Sequence, residues 1–294
     1  MSVFRLSAFA DEAGQALSAQ IEALQKNRIG LIELRNVDGK SCVELTDDEA
    51  RSVRDRLSDA GIGFSALGSP CGKFPIEKPF EEHLTTFRRA LEICHILGAK
   101  RMRMFSFFMP QGDIAPWRNE VIDRLAIMLD LAEEAGVELC HENEKGIYGE
   151  KDNACIDLLS HFGGRLKAVY DPANFAQAAV GAEAFPATLP YLSYLHIKDA
   201  MFADGAVVPA GKGDGGVLSI LSQTAQAREE TVLTLEPHLT VFDGLKGLQD
   251  EELKHRYSYP DAATAFTAAS DALKELLTQL NFMESKGETG VWTR

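Results

Sequence analysis

Apolar and polar positions along the chain follow two periods, and the two take turns. Phe4-Arg5-Leu6-Ser7-Ala8-Phe9 alternates as a strand does, whereas Ile21 and Leu24 recur at helical spacing across 16–26. Residues 30–35 read as a second strand, and Asn36-Val37-Asp38-Gly39-Lys40 as a loop by its turn-forming residues. Thr46 with Glu49 three residues on predicts a helix start, because the hydroxyl can accept an orphan backbone N–H while the carboxylate reaches back. Strands follow at 63–67 and 101–105, with helices at 80–97 and 118–135 that end at Gly98 and Gly136. Further strands at 137–142, 166–170, around 194–195 and at 231–235 alternate with helices at 153–162, near 183, at 218–227 and at 260–280.

Strand and helix therefore alternate eight times. Each parallel crossover needs a helix to return the chain, so the pattern predicts a (β/α)8 TIM barrel, for which about 250 residues suffice. An open doubly wound sheet would carry a glycine-rich phosphate turn after its first strand; Ala10-Asp11-Glu12-Ala13-Gly14 is not one. A single barrel domain over 1–282 and a polar tail over 283–294 account for the whole of the 294 residues.

Composition narrows the function. The formal charge of −14, from 44 acidic and 30 basic residues, opposes nucleic-acid binding, which draws its affinity from Lys and Arg. No apolar run reaches the roughly 20 residues that span a bilayer, and the first residues lack a signal-peptide layout, so a cytoplasmic protein is expected. Five scattered cysteines with no CxxC pair read as reduced, buried thiols.

Four strands run into chemistry. Val137 to Glu142 meets Asn143, the strand at 166–170 meets Asp171-Pro172-Ala173-Asn174, Tyr194-Leu195 meets His196-Ile197-Lys198-Asp199, and the strand at 231–235 meets Glu236-Pro237-His238. In a barrel the C-terminal strand ends form the rim of the active bowl. Glu142, Asp171, His196 and Glu236 on successive strands thus point to one divalent cation, with an oxygen-rich set that suits Mn²⁺ first and Mg²⁺, Co²⁺ or Zn²⁺ as alternatives. Singly, Asp171 reads equally well as a turn cap, His196 as a core histidine and either Glu as a solvated strand end.

Other residues carry weaker signals. Arg35, Lys73, Lys198 and His238 lie at or just past strand ends and are candidate substrate contacts, although Lys198 can instead bridge to its neighbour Asp199. Gly211-Lys212-Gly213-Asp214-Gly215-Gly216 has the composition of a mobile cover, with Lys212 as a charge near the ligand, or of a plain connector. Cys140 and His141 cannot pair, since strand neighbours face opposite ways. Glu138 and Lys167 are expected to share the inward face low in the barrel, where an ion pair between them would be structural.

Glu142-Asn143, Asp171-Pro172-Ala173-Asn174, His196-Ile197-Lys198-Asp199 and Glu236-Pro237 together make the chain resemble the xylose-isomerase-like TIM barrels. The resemblance runs from about residue 4 to 280 and is to the sugar-phosphate isomerase/epimerase group with its ketose 3-epimerases, inosose dehydratases and hydroxypyruvate isomerases. It implies that Glu142, Asp171, His196 and Glu236 bind one metal and that Glu142 and Glu236 are also acid and base. The implied substrate is a sugar or keto-sugar; no nucleic acid or membrane partner is expected, and a homo-dimer or homo-tetramer is. A dehydratase or lyase using the same intermediate, or a carbohydrate-binding barrel without turnover, are the alternatives. Where ketose 3-epimerases place a substrate-binding His after the metal Asp, this chain has Asn174, and its acid-rich connection over 242–261 has no counterpart there.

Overall fold

The computed structural model describes residues 2–240 and 256–294. Eight parallel strands form the barrel: β1 (Val3–Ala8), β2 (Leu31–Leu34), β3 (Gly63–Gly68), β4 (Arg101–Met104), β5 (Glu138–Glu142), β6 (Lys167–Tyr170), β7 (Leu192–Ile197) and β8 (Glu230–Leu235). Each pairs with the next, and β8 returns to β1 along a register from Val3↔Glu230 to Ala8↔Leu235, which closes the ring. The helices between them are α1 (Leu17–Lys26), α2 (Asp47–Asp59), α3 (Phe80–Leu97), α4 (Arg118–Glu134), α5 (Asp152–His161), α6 (Pro172–Gln177), α7 (Phe185–Thr188) and α8 (Val217–Ala227), with α9 (Ala262–Gln279) last.

Local signals produce these elements as expected. Thr46 Oγ1 accepts the Glu49 N–H and the Glu49 carboxylate accepts the Thr46 N–H at 2.9 Å, so both halves of the capping box that starts α2 are present. Gly98 ends α3 at φ 74°, a left-handed turn that an L side chain adopts only under strain. Outside the ring, one large apolar core joins the strands to the helices. Inside it, Ala66, Cys140, Val169, Tyr194 and Val232 form a small cluster beneath the C-terminal rim.

Two details differ from the sequence reading. Residues 283–294 do not trail from the barrel: β9 (Met283–Glu284) and β10 (Val291–Thr293) form a hairpin, and β10 pairs antiparallel with Val3 to Arg5 of β1. β2 begins late and pairs only with Ser7 and Ala8, so the hairpin supplies partners to the half of that β1 edge that β2 leaves open. Glu138 does not pair with Lys167. The β5–β6 register sets Lys167 beside Cys140, whereas Arg101 stands directly opposite Glu138 and Ser193 reaches it at 2.6 Å, so those are its partners. Residues 241–255 of the acid-rich connection lie outside the described residues.

Candidate metal centre

The inward faces of the last four strands end at one point. Glu142 closes β5, His196 lies one residue from the end of β7, and Asp171 and Glu236 immediately follow β6 and β8. All four are buried, and one ligand atom from each lies within 4.8 Å of the others. Asp171 is the turn cap that its sequence position suggested, and it also reaches the cluster. Its Oδ1 caps α6 by accepting the Asn174 N–H at 2.8 Å, which leaves Oδ2 to face the cluster. Asn143 fixes this turn from both sides, accepting the Asp171 N–H and donating to the Asp171 carbonyl, each at 2.9 Å.

Cations thread between the acids. Lys198 Nζ lies 3.0 Å from Asp171 Oδ2 and 3.2 Å from Glu236 Oε2. Arg103 Nη1 donates to Glu142 Oε2 at 3.2 Å, and Arg35 spans Asp11, Glu12 and Glu236 at 3.0 to 3.1 Å. Both guanidinium groups lie over the Phe9 ring, Arg35 at 4.3 Å and Arg103 at 4.9 Å from its centroid, and that ring makes a T-shaped contact with His196. His196 Nδ1 approaches Glu142 at 2.9 Å and Glu236 at 3.3 Å.

Charge in this volume does not balance. Six buried carboxylates, Asp11, Glu12, Glu33, Glu142, Asp171 and Glu236, face three buried cations, Arg35, Arg103 and Lys198. Protons take up part of the excess. Burial, reinforced by neighbouring acids against Lys198, pushes the Asp171 carboxyl up to about 7, and burial raises Glu12 to about 8 despite Arg35. Burial alone would lower His196, but Glu142 and Glu33 outweigh it and hold the imidazole protonated well above its ordinary range. Glu236 goes the other way: burial is outweighed by Lys198 and His196, which keep it well below the usual carboxylate range. A divalent cation would supply the positive charge that the protons otherwise bring, and the convergent oxygen-rich donor set fits one.

The sequence-predicted residues divide by position. Arg35, Asn174, Lys198 and His238 are buried within the cluster or against it. Lys198 does not bridge to Asp199 as its sequence neighbour suggested; the two diverge, and Asp199 turns to the glycine loop. His238 adopts φ 44°, its N–H donates to Glu12 at 2.6 Å, and its ring lies 3.9 Å from Glu236. Burial and Lys198 hold that imidazole neutral. Glu12, Glu236 and His238 also converge, yet Arg35 already bridges the two acids there. Lys73 stands at the rim, paired with Glu144 at 3.0 Å and lying over Phe105.

Lys212 is exposed, on a loop whose amides are already engaged. Gly211, Gly213 and Gly215 all donate to the Asp199 carboxylate at 2.9 to 3.0 Å. A Cβ at Gly213 or Gly215 would come 2.4 or 2.8 Å from Asp199 Oδ1, so these glycines admit the close approach of that carboxylate.

Sequence reasoning missed Glu33, Arg103 and the pair Asp11 and Glu12. The signal was present: Glu33 and Arg35 are two apart in Leu31-Ile32-Glu33-Leu34-Arg35, and Arg103 interrupts Met102-Arg103-Met104, so charges occupy inward strand positions where apolar residues are the rule.

A family model for the xylose isomerase-like TIM barrel matches residues 29–254. The chain belongs to that family. No curated protein matches it. Among solved structures the family member resembles the IOLI protein with a bound zinc atom, at 18% identity and TM-score 0.71 over 94% of this chain and 98% of that one. It resembles the probable 3-DHS dehydratase AsbF of Bacillus anthracis at 14% identity and TM-score 0.69, over 93% and 99%. D-psicose 3-epimerase of Clostridium cellulolyticum H10, solved with D-tagatose, is 12% identical with TM-score 0.66, over 92% and 98%. At these identities the likeness is one of fold. Among the described residues no helix is long and apolar enough to cross a membrane.

Proposed function

We propose that the chain is a divalent-metal-dependent isomerase or epimerase of a ketose or related polyhydroxy carbonyl compound. The observation that carries this reading is the convergence of Glu142, Asp171, His196 and Glu236 within 4.8 Å in a volume with twice as many buried acids as cations. Those four residues hold the metal, with Mn²⁺ the first candidate. When bound, such an ion supplies Lewis-acid polarisation of a carbonyl oxygen, which acidifies the adjacent C–H.

The protein's own groups do the rest. Glu142 and Glu236 stand on the fifth and eighth strands, and as proton acceptor and donor they can address opposite faces of a substrate carbon. Arg103 ties down Glu142 Oε2, while Arg35 and Lys198 hold the two oxygens of Glu236, so each carboxylate is fixed in direction before substrate arrives. Burial disfavours the Lys198 ammonium, but Asp171 and Glu236 outweigh it and keep it charged, beside any oxygen that gains negative character. Asn174 donates to Glu142 and to the Asn143 carbonyl, while its buried Oδ1 has no hydrogen-bond partner among the described residues and can accept from a substrate hydroxyl. Lys198 also favours a second reading as a dehydratase, in which its proton goes to a departing hydroxyl.

Elemental analysis of protein purified without chelator tests the metal. One divalent ion per chain is expected, with stoichiometry falling below a tenth in Asp171→Ala and His196→Ala. Metal content unchanged in both variants contradicts the reading.

A further inference from the structure

Behind His196, on the side away from the other three acids, lies a carboxylate that takes no place in the ligand set. Glu33 sits inside β2, fully buried, with Oε2 3.2 Å from His196 Nε2 and Oε1 accepting the Tyr194 hydroxyl at 2.9 Å. The opposite ring nitrogen, Nδ1, is the one that approaches Glu142 at 2.9 Å, Glu236 at 3.3 Å and Asp171 at 4.0 Å. We infer that Glu33 is a positioning residue that holds the proton of His196 on Nε2 and so commits Nδ1 to the metal. This rests on the metal centre proposed above and extends it.

Binding a metal would displace one proton of the imidazolium and leave one N–H and one lone pair, and the group that accepts the N–H decides which nitrogen is left to ligate. Glu33 is an acceptor only, while ionised, and Tyr194 occupies its other oxygen; a ring flipped to present Nε2 to the cluster would lose this bond and turn Nδ1 to Glu33 instead. The edge of Phe9, 5.1 Å from the His196 ring centroid, and the Tyr194 ring at 5.6 Å wall the imidazole in on two sides. The β2–β3 register shifts at this position, Ile32 pairing with Phe64 and Glu33 with Ala66, so β3 accommodates one extra residue, Ser65, beside Glu33.

The experiment uses the full chain with ¹⁵N-labelled histidine, titrated with Zn²⁺ alone as a diamagnetic probe. Long-range ¹H–¹⁵N correlation reports which His196 nitrogen carries the proton and which the metal. The expected wild-type pattern is protonated Nε2 and metallated Nδ1. Glu33→Ala should weaken Zn²⁺ binding by about 10- to 100-fold and populate both tautomers, and Glu33→Gln, which keeps an acceptor oxygen of the same reach, should recover most of both. A wild-type chain that binds Zn²⁺ through Nε2, or Glu33→Ala protein that binds as tightly and with the same tautomer, overturns the role of Glu33 alone. A wild-type chain that binds no Zn²⁺ overturns the metal centre itself.

Discussion

His83 shows how much one side chain can be asked to do away from the bowl. Its Nε2 accepts the Gly72 N–H at 2.9 Å, and its ring stacks on Phe74 and meets the edge of Phe107. Burial, helped by nearby Arg124, lowers its pKa to about 4, so in the folded protein it stays neutral where an unfolded chain, with a histidine pKa of about 6.5, takes up a proton. Between those values the unfolded state binds more protons. Stability is therefore full above about pH 6.5 and declines as the pH falls towards about 4, by as much as about 3 kcal/mol from this residue. Denaturant unfolding at pH 7.5 and 5.0 should show a smaller loss on acidification in His83→Gln than in the wild type; equal losses would contradict the assignment. At the same scale, Glu142, Asp171, His196 and Glu236 were legible because each interrupts the end of an apolar strand. Glu33 and Arg103 left a signal as charges within apolar strands, but their roles were not legible, because the partner across the barrel is not a property of one strand.

Elements divide in a similar way. The eight strands and their helices are set by local period and by caps such as Thr46 with Glu49 and Gly98, all contained within a few residues of sequence. The C-terminal hairpin was not legible, since β10 exists only because β1 has an open edge nearly three hundred residues away in sequence. The loop at 211–216 stayed open between a mobile cover and a plain connector for a related reason. Its glycines suggest freedom, yet three of its amides converge on Asp199, which the sequence sets beside Lys198 and the structure turns the other way. Asp199→Ala removes a buried anionic acceptor, and each charge-assisted bond of this kind contributes on the order of 1.5–3 kcal/mol. Amide exchange at Gly211, Gly213 and Gly215 should accelerate at least roughly tenfold in that variant, whereas unchanged protection would show that the loop is held by something else.

Across the whole molecule, the features that matter are closure and charge. Closure of β8 onto β1 brings Glu236 back beside Arg35 and Glu12 from the first two strands, so the bowl combines the two ends of the chain. The negative balance of the protein, −14 overall, is repeated in miniature at the rim, where buried acids outnumber buried cations and Asp171 and Glu12 are pushed up towards neutrality. A folded chain tolerates so costly an arrangement of like charges where function requires it. The most direct test is proton exchange at a substrate carbon. Metal-loaded protein is incubated in D₂O with a panel of ketoses and keto-acids, and deuterium beside the carbonyl is read by NMR. The expected result is incorporation into at least one compound, lost by a factor of about 100 or more in both Glu142→Gln and Glu236→Gln with the metal retained. Metal-loaded wild-type protein that exchanges no proton on any member of the panel, or exchange that survives undiminished in both variants, would contradict it.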